Sequence, residues 1–274
     1  MNDDTRRIDA DKLLELTRLQ VLLTVPGMTD VRVRHDIPYG SDRAEELGID
    51  LYLPDGASGP LPAVVFVTGY KDQGARDLIG LRLKEWGPYV SWARLVAASG
   101  LASITYACAE PPENAMEVLR FIRENAGELH VDPDRVGIWT TSGNGPTALS
   151  LLMDRPTYLR FAVFSNTYML DLDGDTTVAD MALQFGFSAP NAGKSVADID
   201  PDVSIFVVRS GRDEIPRLNP NLDRFIAHAV DSNLQLRFVN LPDAPHSFDL
   251  LHDTEETRRT IRQIVEFMQA STAK

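Results

Sequence analysis

With 274 residues and 43% apolar content, the chain is long enough and apolar enough for one enzyme-sized domain with a substantial core. A formal charge of −13 argues against nucleic acid or a membrane of anionic lipid as a partner, because both repel an acidic surface. Cys108 is the only cysteine, so an intramolecular disulfide is excluded and the chain fits a reducing compartment.

Near the amino terminus Leu13, Leu14, Leu16, Leu19, Leu22 and Leu23 recur at helical spacing, interrupted by Glu15, Arg18 and Gln20. This is neither a signal peptide nor a membrane span. The spacing predicts an amphipathic helix over 13–24, packed on its own domain or on a second copy of the chain as a homodimer. With no export signal, the cytoplasm is the expected location. Strands are expected at 31–37, 48–53, 62–67, 101–107, 135–139, 161–165, 203–208 and 234–240, and helices at about 78–99, 114–126, 143–154, 219–231 and 254–270. The early strands follow one another and the later ones alternate with helices. That order predicts an α/β fold whose mostly parallel eight-stranded sheet is covered by helices on both faces. Runs such as Ala63-Val64-Val65-Phe66-Val67 and Ile205-Phe206-Val207-Val208 are apolar at every position, so both of their faces should be buried. No repeat or linker divides the chain, which reads as a single domain over 1–274 with an N-terminal helical segment in 1–30. The stretch from about 168 to 200, after the sixth strand, reads as a short lid overhanging the carboxyl ends of the strands, where ligands bind in open α/β sheets.

The chemistry-bearing residues also fall at those strand ends. Ser142 lies in Ile138-Trp139-Thr140-Thr141-Ser142-Gly143-Asn144-Gly145, where an apolar strand gives way abruptly to a small-residue helix. Such a turn pushes one side chain up into a cleft. A serine hydroxyl is a poor nucleophile at neutral pH and needs a base within hydrogen-bond reach, oriented by a third group. Of the histidines that follow, His228 falls inside the helix expected at 219–231 and His252 opens the last helix, whereas His246 lies in a Pro-containing loop after the final strand. Catalytic groups favour such loops. Asp213 follows Ser210-Gly211 after the penultimate strand and is the candidate acid, with Glu214 its rival. Asp202 sits at the wrong end of its strand, and Asp243 is too close in sequence to fold back onto His246. Acyl transfer further needs donors for an oxyanion. Gly143 offers a backbone N–H, and Thr68-Gly69-Tyr70 supplies the second donor from Tyr70, with Gly69 permitting close approach and the Tyr70 ring free to line a pocket. Lys71 and Glu110 are expected to rim the cleft and select a polar substrate, and Tyr168 and Met169 at the lid entrance are candidate pocket residues. Trp86, Tyr89 and Trp92 share one helical face and read as core packing. Neither metal-ligand spacings nor a glycine-rich phosphate loop occurs, so no metal and no cofactor is expected.

These motifs resemble the α/β-hydrolase superfamily, and within it the dienelactone-hydrolase-like and prolyl-oligopeptidase-like esterases. The resemblance runs from about residue 45 to 270, carried by Leu61-Pro62-Ala63-Val64-Val65-Phe66-Val67-Thr68-Gly69, Arg135-Val136-Gly137-Ile138-Trp139 with Ser142, Gly211 with Asp213, and Pro245-His246-Ser247-Phe248-Asp249. It implies an α/β-hydrolase fold with Ser142 as nucleophile, His246 as base and Asp213 as orienting acid, cleaving small-molecule carboxylic esters through an acyl-enzyme. The chain departs from the family pattern at Thr140-Thr141-Ser142-Gly143-Asn144, where Gly-x-Ser-x-Gly is usual. Thr140 is expected to narrow the site or alter the strain of the turn, and Gly143 and Gly145 to restore room. Dienelactone hydrolase itself uses a cysteine nucleophile. Two other readings stay open: a small-peptide hydrolase, although the oligopeptidases resembling this chain carry a gating domain that 274 residues cannot hold, and a non-catalytic binding protein on the same fold, for which the altered turn argues.

Overall fold

The computed structural model describes residues 10–40, 47–57 and 59–273. The strands are β1 (Arg32–Pro38), β2 (Gly48–Leu53), β3 (Leu61–Phe66), β4 (Ala102–Tyr106), β5 (Val131–Ser142), β6 (Leu159–Thr167), β7 (Ser204–Ser210) and β8 (Leu236–Leu241), the inner ones rich in β-branched and aromatic residues. They pair in one eight-stranded sheet of order β1-β2-β4-β3-β5-β6-β7-β8. β1 and β2, and β2 and β4, run antiparallel, and every pair from β4 to β8 is parallel. β2 and β4 are buried at every position, while the edge strands β1 and β8 are largely open to solvent.

The helices are α1 (Ala10–Arg18), α2 (Asp72–Ile79), α3 (Gly87–Ala98), α4 (Pro111–Glu124), α5 (Ala126–Leu129), α6 (Gly145–Met153), α7 (Thr177–Phe185), α8 (Leu218–Asp231), α9 (Phe248–Leu251) and α10 (Glu255–Thr272). α4, α6 and α8 cover one face of the sheet, where Val118, Leu149, Leu152 and Phe225 meet Val65, Ile104 and Ile138. α3 and α10 cover the other, where Trp92, Ile264 and Phe267 meet Phe66, Trp139 and Phe161. Successive residues of β3 alternate between these two cores, the period-two geometry of a strand buried on both sides.

Two expected helices are shorter than their apolar spacing indicated. α1 ends at Arg18 and packs on α2 and α3, and the chain then runs as an extended strap. There Val21 N–H donates to Ser91 Oγ (2.9 Å) and Leu22 N–H to the Asp249 carbonyl (2.9 Å), so the backbone bonds of the strap go to neighbouring elements instead of up a helix. The pattern over 78–99 is three pieces: α2, stopped by Gly80 in the left-handed conformation (φ 74°), a 3-10 turn at Leu83–Glu85, and α3, restarted with a proline in its first turn. The segment 168–200 carries α7 and loops that pack on α8 and on the turn after β3. Among the described residues no helix is long and apolar enough to cross a membrane.

Candidate active site

β5 ends on Ser142 and α6 begins at Gly145, which leaves little chain in which to reverse direction. Ser142 makes the turn in the left-handed region (φ 58°), a costly conformation for a residue with a Cβ. Its carbonyl is held there by Thr167 Oγ1 (2.5 Å) and the Tyr168 N–H (3.1 Å) at the end of β6. A side chain at Gly145 would collide with that same Thr167 hydroxyl and with the Tyr168 carbonyl. Gly145 therefore supplies the close approach that a glycine two residues after the serine ordinarily provides. Thr140 does not narrow the site: it is fully buried, with its hydroxyl turned to the Val67 carbonyl (3.4 Å).

The loops after β7 and β8 are zipped together by Gly211 N–H to Leu241 O (2.7 Å) and Arg212 N–H to Ala244 O (2.9 Å). This brings Asp213 against His246. The Asp213 carboxylate is fully buried, with Oδ1 accepting the Ile215 N–H (2.9 Å) and Oδ2 lying 2.7 Å from His246 Nδ1. The other ring nitrogen, Nε2, lies 3.2 Å from Ser142 Oγ. Hydroxyl, imidazole and carboxylate thus form one continuous relay. Glu214 is exposed and takes no part in it, and Asp243 pairs with Arg212. His228 sits on α8 against Asp173, and His252 lies beside the Thr257 hydroxyl.

Next to Ser142, the Gly143 N–H has no hydrogen-bond partner among the described residues. The Tyr70 N–H makes only a long contact to Thr68 Oγ1 (3.3 Å). The Tyr70 hydroxyl and the Phe187 ring close over Gly143. Burial pushes the pKa of the Tyr70 phenol up to about 12, so the group stays protonated well above neutral pH. Phe187 packs edge-on to Tyr70 (6.0 Å) and stacks on Tyr168 (5.5 Å), whose hydroxyl donates to Pro216 O (2.6 Å). Ser188 N–H donates to the Gly69 carbonyl (2.8 Å), so the segment after α7 is tied to the turn after β3.

Other expected site residues lie elsewhere. Lys71 and Glu110 pair with each other at 2.7 Å, on the rim of a cleft of about 230 Å³ that also involves Asp72, Arg76, Arg82 and Cys108 but none of the relay residues. Asp72 accepts the Leu83 and Cys108 N–H groups, and burial raises the pKa of its carboxyl and of the Cys108 thiol. Cys108 is thereby held as an inert thiol. Met169 has no exposed surface and packs in the main core, with its N–H on Asn221 Oδ1, so it does not line a pocket. Trp92 and Trp139 pack at 5.3 Å, and the Trp92 indole donates to Asp249. Two residues that touch these turns went unassigned in the sequence: Phe187, and Asn144, whose only signal is a polar residue where a small one is usual. Among the described residues no group of three His, Cys, Asp or Glu side chains is placed to hold a metal ion.

No family model matches the chain. The isoprenylcysteine alpha-carbonyl methylesterase of Arabidopsis thaliana is 30% identical over 160 residues, a match spanning 53% of this chain and only 35% of that protein. Among solved structures, esterase B of Lactobacillus rhamnosis, inhibited by a tributyrin phosphonate, superposes with a TM-score of 0.71 at 11% identity, covering 96% of this chain and 91% of that one. A hyperthermophilic esterase from the archaeon Pyrobaculum calidifontis gives 0.68 at 18% identity, covering 96% and 94%. The chain has the α/β-hydrolase fold. Ser142 occupies the strand-to-helix turn of that fold, and Asp213 and His246 occupy the loops after its last two strands. The α/β-hydrolase fold supports many functions, so the activity has to be argued from the site.

Proposed function

We propose that the protein is a serine hydrolase cleaving small-molecule carboxylic esters through an acyl-enzyme intermediate. The observation that carries this reading is the relay from Asp213 through His246 to Ser142, at 2.7 and 3.2 Å, on a strained turn that aims the hydroxyl outward. Ser142 Oγ attacks the ester carbonyl carbon and its proton passes to His246 Nε2. Asp213 holds the ring in the tautomer that leaves Nε2 free to accept, and stabilises the imidazolium that forms. Negative charge on the carbonyl oxygen is taken up by the Gly143 N–H and by Tyr70, through its N–H and the hydroxyl lying over Gly143. Collapse of the tetrahedral intermediate expels the alcohol, which receives the proton from His246. Water, deprotonated by the same imidazole, then attacks the acyl-serine and releases the acid. The names of the methylesterase relative and of the esterase neighbours support an ester substrate.

A fluorophosphonate probe is expected to label the native protein and not Ser142→Ala. Turnover of p-nitrophenyl acetate should fall about 10⁴-fold or more in that variant. A peptide p-nitroanilide should not be cleaved at a comparable rate. A native protein that neither labels nor hydrolyses any ester in a series of acyl esters, lactones and acetylated sugars is a binding protein on this fold.

A further inference from the structure

The oxyanion site is assembled from two segments far apart in sequence, the serine turn that carries Gly143 and the turn after β3 that carries Tyr70. One side chain joins them. Asn144 is 3% exposed, and its Oδ1 accepts the Gly69 N–H at 2.7 Å, with the Thr68 hydroxyl farther off at 3.4 Å. Its Nδ2 donates to the Thr141 carbonyl at 2.7 Å and to the Tyr89 hydroxyl at 3.3 Å. The orientation of the amide is dictated by its partners, because a backbone N–H only donates and a backbone carbonyl only accepts. The group facing Gly69 must be an acceptor and the group facing Thr141 a donor. At neutral pH a carboxamide presents both from one planar group, whereas an ionised carboxylate of the same length only accepts. The fit is close: a Cβ on Gly69 would lie 3.0 Å from the Gly143 carbonyl oxygen and 3.1 Å from Asn144 Cα.

We propose that Asn144 is a positioning residue of the oxyanion site, its carboxamide locking the Gly69–Tyr70 turn onto the serine turn at the separation that the two oxyanion donors require. The assignment rests on the hydrolase reading given above. It explains why the position two residues after Ser142 carries a buried amide while Gly145 takes over the steric duty of a glycine. Asn144 does not touch the reacting atoms. Its effect is on the placement of Tyr70 relative to Gly143, which matters when charge develops on the oxygen and little when the neutral ester binds.

Two variants test this. In Asn144→Asp the oxygen facing Gly69 is kept, but an ionised carboxylate sets its second oxygen against the Thr141 carbonyl. In Asn144→Gly the residue usual at this point of the turn is restored and the tie is removed. With p-nitrophenyl acetate at pH 8, both should lose about 10- to 100-fold in kcat with KM within about threefold of native, a fraction of what removing a whole oxyanion donor costs. For Asn144→Asp the ratio of its kcat to the native kcat should climb as pH falls, because the protonated carboxyl regains an O–H to give Thr141. A ratio that stays flat with pH, or kcat within about twofold of native in Asn144→Gly, would overturn the assignment. Amide exchange at Gly69 reads the tie without catalysis: it should be slow in the native protein and faster in Asn144→Gly, and equal rates in the two would also overturn it. Fluorophosphonate labelling of native Ser142 separates the two failures. Labelling together with unchanged variants removes only the role of Asn144, whereas no labelling removes the hydrolase reading and this role with it.

Discussion

Asp249, three residues beyond His246, is a buried carboxylate that accepts the Trp92 indole N–H at 2.6 Å. Burial raises its pKa above the ordinary 3.8, outweighing the lowering by that hydrogen bond and by the nearby imidazole. An acid with a raised folded pKa holds its proton longer in the folded than in the unfolded chain. Its contribution is therefore fully present below the unfolded pKa and is lost as pH rises through the folded one. Asp249→Asn keeps an oxygen for Trp92 and cannot ionise. The variant should lose less stability than the native protein as pH rises from about 4, the lower edge of the window set by that raised pKa. Urea midpoints across the range check this, and parallel native and variant curves would refute it. Some slope should remain, because the carboxyl of Asp72 is raised by burial in the same way.

At the scale of elements, the segment around α7 is a separate packing unit. Tyr168, Val178, Met181, Phe187 and Leu218 form a cluster of their own, with Tyr70 and Ile215 against it, apart from the two cores that flank the sheet. Phe187→Ala removes the ring that lies between Tyr70 and Tyr168. A buried Phe→Ala change costs about 3–5 kcal/mol, and here the loss should fall on local opening of the segment around α7. Hydrogen exchange should accelerate over residues 171–191 while β3, β5 and β6 stay protected, and acceleration throughout the sheet would contradict a separate unit. How legible each element was follows from how much of its pattern is local. The inner strands could be read because each holds a short apolar run, and the relay because its three members sit at or just beyond the ends of three strands in chain order. The helix over 78–99 could not, because apolar spacing continues across Gly80 and Trp86 while the helical backbone does not. Met169 was misplaced because its neighbour in an extended segment faces the other way: Tyr168 packs with Val178 and Phe187 and Met169 in the main core. The ties made by Asn144 and Thr167 join segments far apart in the chain, and no local pattern encodes them.

Over the whole molecule, the sheet is the wall shared by the two cores, and its central strands have no face to spare. In β3 and β7 alternate residues point to opposite cores, so Val65 and Val207 pack on one side while Phe66 and Phe206 pack on the other. Losing either helical layer would expose every second residue of these strands to water at about 25 cal/mol per Å² of apolar surface. The strap after α1 adds Val21 and Leu23 to the same core as Ile264 and Phe267 near the far end of the chain, so that layer closes only when both ends are in place. Its long-range closure ties the layer to the sheet as a unit. This arrangement predicts that the two faces unfold together, and the chain offers a direct check. Trp92 and Trp139 lie in the core under α3 and α10, Trp86 stands at the head of α3, and the opposite core contains no tryptophan. Tryptophan fluorescence therefore reports one face, whereas far-ultraviolet circular dichroism reports the helices of both. Urea transitions followed by the two signals should coincide in the native protein. In Leu23→Ala both should shift together, by the about 2–5 kcal/mol expected of a buried leucine truncation. A fluorescence transition that precedes the dichroism, or that alone moves in Leu23→Ala, would mean that the strap and its layer detach while the other face stays folded.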